Sequence, residues 1–129
     1  MVSLMLLSHS PKIAEGTKDL ALQMAADANI IAVGGTNAGT LGADYDRIYA
    51  AMEEAVKQGE VVVLADLGSA RLTGQMAREA LDETLQERVY LSDAALVEGA
   101  VAAAVAVGAG QSAAEVLDQI QEFLLPKGD

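Results

Sequence analysis

Short, uninterrupted apolar runs alternate along the chain with longer stretches in which apolar residues recur every three or four positions. The first kind of run reads as a buried strand and the second as an amphipathic helix. Residues 2–7 form the first predicted strand. Ser10 and Pro11 then make a helix start, a hydroxyl N-cap followed by proline at the first helical position. The helix they open aligns Ile13, Leu20, Met24 and Ala28, so this face is predicted to be buried, with Gly16 a mild blemish. Residues 30–33 are the second strand and run into a glycine-rich loop, 34–42. Asp44 caps a helix whose inward face is Ile48, Met52 and Val56, and Gly59 ends it. Residues 61–65 are the third strand, closing on Asp66. Leu67, Gly68 and Ser69 lead into a helix with Leu72, Met76 and Ala80 inward, and residues 88–91 make a weaker fourth strand.

The Ala/Val-rich stretch 93–109 is short, carries Glu98 and Gly99, and is mostly alanine. That predicts a helix packed inside the protein or at a dimer interface rather than a membrane span. The last helix opens on the capping box Ser112 to Glu115 and turns Val116, Ile120, Phe123 and Leu124 inward before Pro126. Strands alternating with helices imply an α/β fold, an open and mainly parallel sheet with helices on both faces. No linker or internal repeat divides the chain, so 1–129 is expected to be one domain.

Composition narrows the function. Acidic residues outnumber basic ones 19 to 8, a formal net charge of −11. Such a surface repels nucleic acid and anionic membranes, so neither is an expected partner, whereas a protein with a basic face is. Aromatics are only 3 % of residues, too few for a base-stacking platform. The absence of cysteine excludes thiolate and Cys-metal chemistry. No His/Asp/Glu cluster has metal-site spacing, and no cofactor is expected. The first apolar run lacks a basic leader and is broken by Ser8, His9 and Pro11, so a cytoplasmic location is expected.

Ligands of open parallel sheets bind beyond the carboxyl ends of the strands, where strand order reverses. An order beginning 2-1-3-4 brings the ends of the first and third strands together, and with them the only histidine, His9, and Asp66. An imidazole accepts a phosphoryl group when its other nitrogen keeps a proton and is held by an acceptor, here Asp66; the sequence leaves open which nitrogen reacts. The phosphoryl oxygens need donors. Amides at the helix start near Ser10 are one source, where the helix dipole adds about 0.3–1 kcal/mol for an anion. Gly35, Thr36, Gly39 and Thr40 of the loop are a second, and Gly68 and Ser69 a third. Arg71 is a phosphate clamp or a partner contact. Each feature has an ordinary use as well: a solvated histidine, an aspartate capping a turn, a glycine loop that needs positive φ. The loop is neither a Walker A nor a Rossmann fingerprint.

Three segments, LLSHSPKIAEG at 6–16, GGTNAGTLGADYDRI at 34–48 and VVVLADLGSARLTGQMA at 61–77, resemble the phosphotransferase subunit of the phosphoenolpyruvate-dependent dihydroxyacetone kinase. That subunit is similar to the mannose-family enzyme IIA domains of the bacterial phosphotransferase system. The resemblance spans nearly the whole chain. It implies that His9 receives phosphoryl from the histidine phosphocarrier protein and passes it to ADP held on the nucleotide-binding subunit of the kinase, in support of dihydroxyacetone phosphorylation. It implies a mannose-type enzyme IIA fold, a homodimer, and an aspartate beside the active histidine, matched by Asp66. Ala43 stands where the family pattern leads one to expect Thr. The segment Asp66 to Arg71 favours the kinase branch over the sugar transporters, whose equivalent usually continues Gly-Gly. The alternatives are an enzyme IIA of a mannose-family transporter and a non-catalytic flavodoxin-like regulatory module. A response-regulator receiver is disfavoured, because no acidic pair follows the first strand.

Overall fold

Alternate residues of the central strand supply two separate cores. In the computed structural model, which describes residues 1–125, Leu4 and Leu6 face one side of the sheet and Met5 and Leu7 the other. This is the period of two expected of a strand buried on both faces. Strands β1 (Val2–Ser8), β2 (Asn29–Gly34), β3 (Glu60–Ala65) and β4 (Val89–Leu91) are all parallel, in the order β2-β1-β3-β4. Helices α1 (Pro11–Met24), α5 (Leu96–Gly108) and α6 (Ala113–Gln119) cover one face, and α2 (Tyr45–Val56) and α3 (Gly68–Glu79) the other. A short helix, α4 (Glu83–Gln86), absent from the sequence reading, precedes β4. Fold class and strand order are as expected, and Pro126 lies outside the described residues.

Two helices present a different face from the one predicted. On α1 the buried residues are Ala14, Thr17 and Ala21, while Ile13, Leu20 and Met24 are exposed; Ala28 is buried but lies beyond the helix. On α3 they are Ala70, Gly74 and Ala77, while Leu72 and Met76 are exposed and Ala80 is too. The reason is volume. The strands fill the interlayer space with Leu, Met and Val, so the helices approach through small residues. A Cβ on Gly74 would lie 2.9 Å from Cδ1 of Leu7. Helix α2 is packed as predicted, with Ile48, Met52 and Val56 buried. At the last helix Val116 and Ile120 are buried, Phe123 is partly buried and Leu124 is exposed. The 93–109 stretch is α5, which turns Leu96, Gly99, Ala100, Ala103, Ala104 and Ala106 inward. No helix among the described residues is long and apolar enough to cross a membrane.

Candidate functional site

The site grows from the ends of β1 and β3, which lie side by side with Leu7 opposite Ala65. The ladder continues one step beyond both: the Asp66 N–H donates to the Leu7 carbonyl at 3.0 Å, and the Gly35 N–H to the Ser8 carbonyl at 3.2 Å. His9 therefore leaves a strand fixed on both flanks. Its carbonyl accepts the Gly42 N–H at 2.8 Å, which ties it to the glycine-rich loop.

Nδ1 of His9 lies 3.0 Å from Oδ1 of Asp66, and the two side chains are 24 % and 15 % exposed. Oδ1 also accepts the Leu67 N–H at 2.7 Å. Oδ2 accepts the Ser8 hydroxyl at 2.8 Å and the His9 N–H at 3.1 Å. Burial pushes the Asp66 carboxyl up, but the donors from His9, Ser8 and Leu67 outweigh it and hold the group below its usual range. Each carboxylate oxygen accepts two donors, which uses its lone pairs and leaves none for a metal ion. An anionic carboxylate facing Nδ1 keeps the proton there, so the free lone pair of the neutral ring is on Nε2. The Ser69 hydroxyl donates to Nε2 at 2.6 Å.

Ser69 stands in the first turn of α3, where Leu67 is an N-cap whose side chain makes no capping bond. The opening amides of a helix have no intrahelical acceptor. The positive end of α3 thus meets the outward nitrogen of His9, a place suited to an anion.

The expected residues divide accordingly. His9, Asp66, Ser69 and Gly68 come together. Ser10 is adjacent in sequence, but most of the donors at the start of α1 are taken: the Ser10 N–H donates to Ser8 Oγ at 3.0 Å, and Ser10 Oγ accepts the Ile13 N–H at 3.3 Å, which leaves the Lys12 N–H. Pro11 has no N–H to offer. The nearby helix terminus with more donors left over is that of α3, where the amides of Gly68, Ser69 and Ala70 have no acceptor. In the loop, Thr36 and Thr40 bond each other through their hydroxyls at 2.7 Å, the Thr36 N–H donates to Thr40 O, and the Gly39 N–H donates to Thr36 O. Gly35 has φ +72°, and a Cβ there would press on Thr40 O and the Pro11 ring, so its role is close approach of the chain. Arg71 donates through Nε to Asp93 at 2.9 Å and through Nη1 to Gln75 at 2.8 Å.

Three contributors were not singled out from the sequence. Ser8 orients the carboxylate, and its signal was a hydroxyl directly after the apolar run Leu4 to Leu7, which burial obliges to find a partner. Gly42 holds the His9 carbonyl. Arg47 donates through Nη1 to Gly34 O at 2.6 Å and Gly35 O at 2.8 Å, stapling the loop. An arginine in the first turn of a helix opposes the macrodipole, and that mismatch was its signal.

A family model described as PTS system fructose IIA component, EIIA-man, matches residues 3–119. The chain belongs to the EIIA-man family. Within this family it is similar to the PEP-dependent dihydroxyacetone kinase 2 phosphoryl donor subunit DhaM of Listeria innocua, 40 % identical over 106 residues that cover 81 % of this chain and 85 % of the relative. It is 32 % identical to the PTS-dependent dihydroxyacetone kinase phosphotransferase subunit DhaM of Lactococcus lactis, covering 96 % and 97 % of the two chains. The DhaM phosphoryl donor subunit of Providencia stuartii is 36 % identical over 98 % of this chain, which spans only 28 % of that longer relative. The crystal structure of EF1359, a protein of unknown function, superposes with a TM-score of 0.86 at 36 % identity, covering 97 % and 96 % of the two chains. A mannose/sorbose-specific IIA subunit from Enterococcus faecalis shares the fold at TM-score 0.59 and 19 % identity, covering 98 % and 94 %. The resemblance to the dihydroxyacetone kinase subunits is thereby borne out.

Proposed function

We propose that the chain is a phosphocarrier: Nε2 of His9 takes a phosphoryl group from the histidine phosphocarrier protein and gives it to ADP bound on the nucleotide-binding subunit of dihydroxyacetone kinase. The observation that carries this reading is the orientation of the ring, with Nδ1 on Asp66 and Nε2 toward the start of α3. In the first step the Nε2 lone pair attacks phosphorus, the donor's N–P bond breaks, and its electron pair returns to the donor imidazole. The positive charge appearing on the His9 ring is offset by Asp66, and Ser69 turns its hydroxyl from Nε2 to a phosphoryl oxygen, joined by the amides of Gly68 and Ser69. In the second step a β-phosphate oxygen of ADP attacks phosphorus, the Nε2–P bond breaks, and ATP forms for phosphorylation of dihydroxyacetone. Arg71 serves as a partner contact. The names of the relatives support the kinase branch over a sugar transporter.

The chain acts as a homodimer in this reading. Leu20 and Met24 of α1 and Val105 of α5, all exposed, belong to two helices packed together and supply an apolar face for a second copy.

Incubation with phosphoenolpyruvate, enzyme I and the phosphocarrier protein tests the reading. It predicts acid-labile, base-stable phosphate on the wild-type chain, lost in His9→Ala, and ATP on addition of the ADP-loaded kinase subunit. Transfer instead to a sugar permease component would select the transporter reading, and an unphosphorylated chain the regulatory one.

A further inference from the structure

Building on the phosphotransfer reading, we infer that Ile13, Leu41, Leu67 and Leu72 form an apolar collar around His9 that docks the protein carrying the phosphoryl acceptor. These side chains are 49 %, 75 %, 55 % and 56 % exposed. Scattered exposed leucines are ordinary. What distinguishes these is that each adjoins a group bonded into the site. The Ile13 N–H donates to Ser10 Oγ, the Ser10 N–H donates to Ser8 Oγ, and that hydroxyl donates to Asp66 Oδ2, while the Leu67 N–H donates to Asp66 Oδ1. Leu41 precedes Gly42, whose N–H holds the His9 carbonyl. Leu72 lies three residues beyond Ser69, on the same stripe of α3 as the hydroxyl that meets Nε2.

Two of these positions run against local stability. Leu67 is the N-cap of α3, where Ser, Thr, Asp or Asn would stabilise the helix by a capping bond that leucine cannot make. Leu41 sits in an exposed loop with its side chain mostly in solvent. Large apolar side chains kept at such places signal a partner.

The occupant follows from reach and charge. Displacement at phosphorus needs the attacking oxygen within about 3–3.5 Å. An acceptor held on a protein must therefore bring that protein's surface onto the residues surrounding the imidazole. The chain's charge of −11 and the anionic nucleotide demand a basic rim on the partner, which steers approach, while the collar fills its apolar centre. The partner surface is thus a nucleoside-diphosphate site with an apolar centre and a basic rim.

The test uses the intact chain with Ile13→Gln, Leu41→Gln and Leu72→Gln together. Neutral amides leave the electrostatics unchanged, and Leu67 is kept because it opens α3 beside the phosphoryl site. Phosphoramidate, a small donor that needs no protein surface, loads His9. Transfer to the ADP-loaded nucleotide-binding subunit is then followed under single-turnover conditions. We expect loading within twofold of wild type, and a half-saturating subunit concentration raised about tenfold with the maximal rate nearly unchanged. The matching variant Ile13→Met, Leu41→Met and Leu72→Met should transfer like wild type. An unaltered half-saturating concentration overturns the collar. Loss of loading together with transfer also overturns it, because it assigns these residues to the chemistry of His9, and so does free ADP accepting as well as the subunit-bound form. The wild-type arm reports separately on the phosphocarrier reading: a wild-type chain that cannot be loaded, or cannot pass its phosphoryl to the subunit, defeats that reading itself.

Discussion

His9 and Asp66 each stand one residue beyond the end of adjacent parallel strands, and there Nδ1 and Oδ1 come to 3.0 Å. The pairing is a consequence of strand order. The sheet is all parallel, so the sole imidazole and this carboxylate share its carboxyl edge, and β1 lying beside β3 makes them neighbours on it. The contact fixes the ring tautomer, and the tautomer decides which nitrogen is free.

Replacing Asp66 with Asn removes the charge that stabilises the positively charged ring. Phosphoryl uptake by His9 should slow by about 100-fold, the scale of a positioned acid–base partner. Circular dichroism should show a fold like that of wild type.

The depressed Asp66 pKa also makes a prediction about stability. A carboxylate favoured in the folded state contributes stability that is complete above its unfolded pKa and is lost as pH falls through the lower folded value. Urea unfolding of wild type and Asp66→Asn should therefore differ most above about pH 5, about one unit above the ordinary carboxylate value, with the difference shrinking below it. A difference that grew on acidification would mean that Asp66 is raised, not lowered.

Ser8 Oγ accepts the Ser10 N–H while donating to Asp66 Oδ2. Ser8→Ala strands the Ser10 N–H and strips one donor from a half-buried carboxylate. Chemical denaturation should register a loss of about 1–3 kcal/mol, the cost of an unsatisfied polar group. The Asp66 pKa, followed by NMR, should rise toward the ordinary value.

Gly34 sits where β2 meets the start of α1, and a Cβ there would collide with Ser10 O and lie 2.8 Å from Ala14 Cβ. Gly34→Ala should cost about 1–3 kcal/mol through overpacking. Since Ser10 follows His9 directly, phosphoryl uptake should fall as well. Arg47→Met should instead leave α1 in place and release the loop, seen as faster hydrogen exchange at the Gly42 amide.

Sheet and site were legible to different depths. Strand runs and the positions of His9 and Asp66 could be read because a parallel sheet sets its ligand edge by topology. Capping also read well: Ser10, Asp44 and Ser112 all accept the amide expected of an N-cap. The inward faces of α1 and α3 could not be read from the large apolar residues. Periodicity identifies a stripe without saying whether a tight interface needs volume or space, and here Ala14, Thr17 and Ala21 on α1 supplied space. The relative weight of the two helix starts named as donor sources was hidden for a related reason. Ser10 and Leu67 both open helices, but Ser10 engages the Ile13 amide while Leu67 makes no capping bond. More amides stay open behind the poorer cap.

The central claim is that Nε2 carries the phosphoryl group while Nδ1 stays protonated against Asp66. Nitrogen-15 labelling of His9, followed by phosphorylation and measurement of the one-bond phosphorus–nitrogen coupling, tests it most directly. The account predicts that coupling at Nε2, with a proton retained on Nδ1. A coupling at Nδ1 would contradict it.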